Sequence, residues 1–512
     1  MASLLKLNRI ALRSFSSQVE AAATCPHIQP KKTQSQNVKP YSKIPVISKF
    51  SLIRRFLPGG EFHKKQMVDV MKTLQKQNGD IYVFSGAGGK RDVVFTFNPN
   101  DYATVFRNEG PWPFRDGLDT IVYHRKVRNA DFYGSNGGLM SEQHELWGRV
   151  RSAVNPVMMN PKAVKIYIPT IDKVTKDFIS VIRDKRDSNT FEVGDKFLDD
   201  INNWALESIA LIALNTRLGC LGANKHPDAD TLINGMHTFF NLSYELDFLP
   251  SMWKYVATPK FNKLMKVLDE VSDVSRKYVE LARENMKSNP AKNDDEMSVL
   301  EKLIKVDKKT AVVMAMDMLF AGIDTTSTAL TACLLSLAKN QDKQSKLREE
   351  LMTITEPLTP ESLNSVPYLR ACIKESLRFY PVTTSNGRVL PTDIVVSGYY
   401  IPKGTMVVMA MQPLLGDEKY FKDADKFVPE RWIKGSPLYK GNNDPFVYLP
   451  FGFGSRSCIG KRFSNMELEI VILNILKNFV VEFNHSAENA FTSKVLNIPN
   501  IPLKFKFTDV KK

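Results

Sequence analysis

Between roughly residues 140 and 380, apolar side chains recur every three or four positions with charges between them, the period of an amphipathic helix. Asp172 to Lys185 and Asn262 to Met286 show this most plainly. Lys309 to Lys339 is longer and largely apolar, and Phe463 to Val481 is a further apolar run with helical period. Short strand-like runs stand at two places. Asp80 to Phe97 predicts a hairpin around Gly86, Gly88 and Gly89, and Arg388 to Met411 predicts strands punctuated by Pro391, Gly398, Pro402 and Gly404. No internal repeat or low-complexity tract separates these regions. The pattern predicts one domain over residues 41–512, mainly α with a small β-sheet portion.

The N-terminus reads differently. Its first 19 residues carry Lys6, Arg9 and Arg13, several serines and no acid, and Leu4, Leu5, Leu7, Ile10 and Leu12 share one broad helical face. That is the make-up of a mitochondrial transit peptide. A membrane anchor would need about 18 or more apolar residues in a row. Cys25 to Lys43, rich in Pro, Gln, Lys and Ser, reads as a linker, so residues 1–40 are expected to be transit peptide and linker.

The chain is 43% hydrophobic, enough for a large core, and 70 basic against 55 acidic residues leave it at +15. That charge implies an acidic partner or surface. No compact basic tract or nucleic-acid motif is present, so nucleic acid is excluded as the partner. Cys25, Cys220, Cys333, Cys372 and Cys458 lack pairing spacing, which argues against a disulfide framework.

One cysteine stands in an unusual setting. In Phe451-Gly-Phe-Gly454-Ser-Arg456-Ser-Cys458-Ile-Gly460 each fixed residue has a separate task if a haem lies beside the loop. Cys458 as thiolate would be the axial ligand, of the class that favours O–O cleavage. A helix N-terminus just beyond it would favour the thiolate through its dipole and unpaired N–H groups. Gly454 and Gly460 would allow a tight turn and close approach of a flat macrocycle. Phe451 would screen the sulfur from water, and Arg456 would pair with a haem propionate.

This segment resembles the haem-binding loop of the cytochrome P-450 family, and other family marks follow in order. Glu375-Ser-Leu-Arg378 matches the ExxR element, which in the family forms a buried network with the arginine of a later segment, here Pro429-Glu430-Arg431-Trp432. Glu280-Leu-Ala-Arg283 also fits ExxR but lacks the family's placement. Within Lys309 to Lys339 stands Ala321-Gly322-Ile-Asp324-Thr325-Thr326, whose Gly, Asp and Thr are poor helix-interior choices and predict a local distortion. Monooxygenation consumes two protons in an apolar pocket, and an acid beside an alcohol can relay them. Asp324 and Thr325 match the family's distal pair, whose presence favours monooxygenation over rearrangement of hydroperoxides.

The likeness covers roughly residues 41 to 505 and implies the cytochrome P-450 fold, a haem b cofactor and an apolar substrate. Trp147 and Arg151 match the WxxxR helix that reaches a haem propionate; they lie on one helical face. Arg388 corresponds to another propionate-binding arginine, whereas Arg149 and His144 read as solvated. The implied substrate walls are 110–139, 236–261, 316–321, 382–386 and 491–498. Phe239, Phe240, Leu242, Phe248, Leu249, Met252 and Trp253 form an unusually apolar group, read either as core packing or as partial insertion into a membrane surface.

The start of the chain points to the mitochondrial branch, which takes electrons from an acidic ferredoxin served by an NADPH-dependent reductase. Arg370 and Lys374 match that branch's basic ferredoxin contacts, and Lys461 and Arg462 add charge to the same face. The segment Trp112 to Asp119 and the Trp147 segment resemble insect detoxifying members of family twelve. The implied place is the matrix side of the inner mitochondrial membrane, as a peripheral protein. A haem-thiolate isomerase or dehydratase, and a non-catalytic haem sensor, are the alternatives; oxygen uptake coupled to NADPH through a ferredoxin separates them.

Overall fold

A computed structural model describes residues 38–86, 91–222, 225–249, 251–289, 293–441 and 444–511. The expected transit peptide, nearly all of the linker up to 37, and Gly88 and Gly89 lie outside these residues. Pro40–Lys512 forms one compact unit.

The helices that build the site are α1 His144–Met158, α2 Ile168–Lys185, α3 Phe197–Leu214, α4 Pro227–Ser243, α5 Pro259–Ser288, α6 Lys308–Lys339, α7 Pro367–Phe379 and α8 Lys461–Asn478. Three of the sequence runs thus become α2, α5 and α6 with ends shifted by only a few residues. Helix α6 is long and apolar enough to cross a membrane, yet most of it is buried inside the protein. It packs chiefly on α3, and also against α7 and α8. Gly322 lets α3 come close, because a Cβ there would stand 2.6 Å from Ile209. The expected distortion of α6 does not occur. The helix is unbroken from Lys308 to Lys339, and the Thr325 hydroxyl donates back to the Ala321 carbonyl, satisfying it locally.

The strands are β1 Val46–Ile47, β2 Ile81–Phe84, β3 Val93–Thr96, β4 Ser385–Val389, β5 Ile394–Val396, β6 Tyr399–Ile401, β7 Met406–Ala410, β8 Phe479–Glu482, β9 Phe491–Ser493, β10 Asn497–Pro499 and β11 Lys506–Asp509. The main sheet runs β1-β2-β3-β7-β4 over a hydrophobic core of its own. Its β2–β3 hairpin pairs Ile81 with Thr96, as the sequence predicts. One boundary differs. The run after Cys458 leaves the helix at Asn478, and Phe479, Val480 and Val481 enter β8, paired antiparallel with β11. Aromatic and β-branched residues in succession favour that pleated surface.

Glu375, on α7, is fully buried and binds five donors. Arg378 Nε and Nη2 reach it at 3.0 and 2.8 Å, Arg431 Nε and the Val428 N–H at 3.0 Å, and Trp432 Nε1 at 2.8 Å. The two guanidiniums spend their other N–H groups on carbonyls of Leu415, Ala424 and Lys426, and of Lys422 and Asp423. The other ExxR match, Glu280 with Arg283, is an i,i+3 pair on α5 shared with Lys308. Its partly exposed position explains why it ties nothing together.

Glu375→Ala strands two buried guanidiniums and should cost about 3–5 kcal/mol, whereas Glu280→Ala should stay within about 0.5 kcal/mol. Thermal unfolding and the yield of folded protein measure both. A Glu375→Ala protein that melts with the wild type would show the network to be dispensable.

Candidate active site

The loop before α8 is held by backbone bonds from the Cys458 N–H to the Phe451 carbonyl at 2.8 Å and from the Ser457 N–H to the Gly454 carbonyl at 3.1 Å. Gly452 and Gly454 take φ of 68° and 72°, and a Cβ at Gly454 would collide with the Glu109 carboxylate. Gly454 is therefore fixed by protein alone. Gly460 is not fixed in that way: its φ is −84°, it is the residue before α8, and a Cβ there would lie an ordinary 3.9 Å from Cys458 Sγ. Phe451 is half-buried against the main core, with the Lys461 ammonium 5.6 Å from its ring.

The Cys458 sulfur takes the N–H groups of Gly460 and Lys461 and feels Arg151 and Arg115, all of which favour the thiolate. Burial outweighs them and holds the thiol above its ordinary range. The helix-terminus expectation thus names real forces that are too weak alone. A directly coordinated metal cation would complete the deprotonation. Although ringed by protein, the residue is open to a water-sized sphere, so it faces interior space. Among the described residues no three His, Cys, Asp or Glu side chains converge, so a metal at this sulfur must bring its remaining ligands with it.

Four guanidiniums gather around this loop. Arg388 is buried on β4 and paired with Glu109, with a longer bond to the Phe453 carbonyl. Arg456 donates to the Pro113 carbonyl at 2.9 Å and to Gln143 Oε1 at 2.7 Å, and lies 3.8 Å over the buried Trp147 ring. Arg151, on α1, reaches the Ser457 carbonyl at 3.0 Å, while its buried Nε has no partner among the described residues. Arg115 is brought in because the Val389 N–H binds the Phe114 carbonyl beside β4. Burial, then neighbouring guanidiniums, pulls Arg456 down to about 8; burial and Arg388 pull Arg115 to about 10. Guanidiniums stay charged in proteins, so the direction of these shifts reflects positive charge that is buried and set beside like charge. Among the described residues the one carboxylate paired with the four is Glu109. A flat macrocycle with two carboxylates and a central cation fits both the excess charge and the sulfur.

Arg115 and Glu109 escaped the sequence reading, since nothing in their spacing shows that they turn inward. Arg149 pairs only with Glu145 on the surface, and His144 is exposed but stacks on Phe114 at 4.9 Å.

Between Thr310 and Ala338 every residue of α6 is buried except Ala321, Gly322 and Thr325. Ala321 and Thr325 are one turn apart and open one face of the helix to interior space. Asp324 points elsewhere, into a crevice bounded by α3, α4 and residues 494–499. Burial raises its pKa and His237 opposes this; the His237 Nδ1 lies 3.5 Å from Asp324 Oδ1.

Of the expected partner contacts, Lys374, Lys461 and Arg462 are exposed, and Lys374 feels both Lys461 and Arg370. Arg370, beside them, is partly exposed and also bound within the protein. Its guanidinium binds Glu469 at 3.2 Å and also Leu363 and Asn364. The apolar group also divides. Phe239 and Trp253 are buried, whereas Phe248, Leu249 and Met252 are exposed together with Tyr255 and Val256. A second exposed apolar set, which the sequence reading missed, is Phe50, Ile53 and Leu57 near the N-terminal edge.

Comparisons with known proteins place this geometry. The family model described as Cytochrome P450 matches residues 49–507. The chain is 46% identical over 494 residues to "Cytochrome P450 CYP12A2" of Musca domestica, covering 93% of this chain and 92% of that one. It is also 46% identical to "Probable cytochrome P450 12a5, mitochondrial" of Drosophila melanogaster over 490 residues, covering 92% and 91%. Among solved structures, "Retinoic acid bound cyanobacterial CYP120A1" superposes with a TM-score of 0.69 at 21% identity, covering 86% of this chain and 94% of that one, a likeness of fold. With a family match across most of its length and relatives of this closeness, the chain belongs to the cytochrome P450 family, as a haem-thiolate monooxygenase related to the insect family-twelve members.

Proposed function

We propose that this monooxygenase acts in the mitochondrion on an apolar small molecule, with Cys458 as the haem ligand and a ferredoxin as electron donor. The observation that carries the ligand assignment is the Cys458 thiol opening to interior space amid four guanidiniums and one carboxylate. When bound, the haem supplies dioxygen activation. Arg115, Arg151, Arg388 and Arg456 bind and orient its carboxylates, Trp147 buttresses Arg456 from below, and Phe451 keeps water from the sulfur. Asp324 and Thr325 hold and pass protons, the acid from the wet side of α6 and the hydroxyl on the face that opens inward.

The location rests on relatives named mitochondrial and on the transit-like composition of the first 19 residues. The domain division, residues 1–40 as transit peptide and linker and 41–512 as enzyme, belongs to the same proposal. Exposed Phe248, Leu249, Met252 and Tyr255, and Phe50 with Ile53, favour peripheral attachment to the matrix face of the inner membrane. Lys374, Lys461 and Arg462 form the steering face for an acidic ferredoxin and Arg370 stiffens it through Glu469.

Cys458→Ser or Cys458→His should abolish NADPH- and ferredoxin-dependent oxygen uptake and product. The reduced carbon monoxide form should show the thiolate Soret band in the wild type only; the same band in either variant would remove Cys458 as ligand.

Thr325→Ala should keep haem and substrate binding but release several-fold more hydrogen peroxide per NADPH consumed, as proton delivery falters. Unchanged coupling would contradict the relay.

Reversing charge at Lys374 and Lys461 should raise the ferredoxin concentration needed for half-maximal turnover and flatten its dependence on salt, leaving substrate binding alone. Arg370→Glu should in addition lower the melting temperature, because the half-buried Glu469 loses its partner and meets a like charge. Full turnover with a diflavin reductase and indifference to these changes would move the protein to the microsomal branch.

A further inference from the structure

Asp324 sits in the middle of the largely buried α6, and the ionisable side chain paired with its carboxylate is His237 of α4. His237 is 40% exposed while Asp324 is only 9% exposed, so the imidazole stands between the acid and solvent. The crevice that joins them is lined by Asn202 of α3, His237 of α4, Asp324, Ser327 and Thr328 of α6, and Lys494. Two further observations mark it as a path for protons. Ser327 is 1% exposed, and its hydroxyl, in this crevice, has no hydrogen-bond partner among the described residues. A buried hydroxyl of that kind is ordinarily satisfied by water. The other imidazole nitrogen, Nε2, lies 3.3 Å from Asn202 Nδ2, an arrangement that fixes the ring with Nδ1 turned toward Asp324. Lys494 and Asn241, also in the lining, are joined by a bond of 2.8 Å from the ammonium to Asn241 Oδ1.

We propose that His237 is the proton-supplying residue of this enzyme, reloading Asp324 from solvent through the crevice. The inference rests on the reading of Asp324 as a proton relay. The imidazolium gives its Nδ1 proton to the Asp324 carboxylate, directly after a small rotamer shift or across one water on Ser327. Asp324 becomes the neutral acid and His237 the neutral ring with its proton on Nε2, a state that requires the Asn202 amide, whose Nδ2 faces Nε2 at 3.3 Å, to turn its oxygen to that proton. The ring then regains a proton from solvent water at Nδ1, and no electrons move. Burial of Asp324, which raises its pKa, makes it a group that holds the proton it receives. His237 acts through Asp324 and does not touch substrate.

The test uses the full haem-loaded chain with ferredoxin, reductase and NADPH, and 7-ethoxycoumarin as probe substrate. His237→Gln should lower kcat roughly tenfold with the KM for the probe unchanged. The same variant driven by hydrogen peroxide, which carries its own protons, should dealkylate the probe at the wild-type rate. Equal loss under both regimes, or no loss under either, overturns the proposal. Asp324→Asn separates the two readings. If it keeps the wild-type NADPH-driven kcat, the relay reading itself fails and the role of His237 falls with it; if it loses turnover while His237→Gln does not, the His237 inference alone fails. A crystal structure of the wild type gives a readout apart from activity. Ordered water joining His237 Nδ1, Ser327 Oγ and Asp324 is the expected result, and a dry crevice counts against the path. His237→Leu, which keeps the volume but not the polarity, should lose that water and reproduce the kinetic split.

Discussion

The proximal half of the molecule depends on one buried carboxylate. Glu375 collects five donors with almost no solvent, and both of its guanidinium partners spend their remaining N–H groups on carbonyls of the 415–426 meander. A meander has few backbone bonds of its own, so its course is set by these side-chain donors. It leads directly into the segment that ends at Cys458, and Tyr448 adds a bond back to the Lys374 carbonyl on α7. The position of the sulfur is therefore inherited from α7, a rigid element, through charge-assisted bonds. Breaking a buried ion pair costs far more than the pair contributes relative to an apolar substitute. Such a network persists because its removal is ruinous.

A second constraint acts on the other side of the same loop with opposite sign. Around Glu375 the charges are mutually satisfied; around Cys458 they are not. Arg115, Arg151, Arg388 and Arg456 meet a single carboxylate, and the sulfur itself is held protonated by burial despite two N–H donors. On the proposed reading each shortfall would be answered by the haem that the family binds, the four guanidiniums holding its carboxylates and Cys458 its iron. Folding of the loop and loading of the cofactor would then be coupled in the manner of metal sites generally.

Much of this was legible in the sequence, for identifiable reasons. Helices α2, α5 and α6 announced themselves because their apolar period is long and uninterrupted, and the β2–β3 hairpin because glycines separate two short apolar runs. Glu375 and Arg431 were legible through motif order, which also set aside Glu280 and Arg283. What failed did so where tertiary contact overrides local pattern. The apolar run after Cys458 carries only the weak β preference of Phe479, Val480 and Val481, and pairing with β11 is what takes them out of the helix. Arg370 has the spacing of a surface cation and also binds Glu469. Glu109, Arg115 and His237 lie 343 or fewer positions from the residues they serve, and no local spacing records which of many ionisable side chains will turn inward.

The pairing of an acid with a hydroxyl at adjacent positions of α6 has a consequence that follows from helix geometry alone. Successive residues project about 100° apart around the axis, so neighbours in sequence cannot share a face. In this helix the carboxylate of Asp324 looks into a crevice with His237, while Thr325 and Ala321 open on a flank about 100° away. On the proposed reading the helix is a wall between a wet compartment and an apolar one. Bulk water that reached the apolar side would compete with substrate and bring protons without restraint. A proton handed across the wall by two side chains arrives singly: the Thr325 oxygen can accept while its own proton stays on the Ala321 carbonyl, and that bond must be released before the hydroxyl passes a proton on. Adjacency in sequence thus supplies connection without supplying a channel, which a pair spaced by a full helical turn on a single face would not achieve.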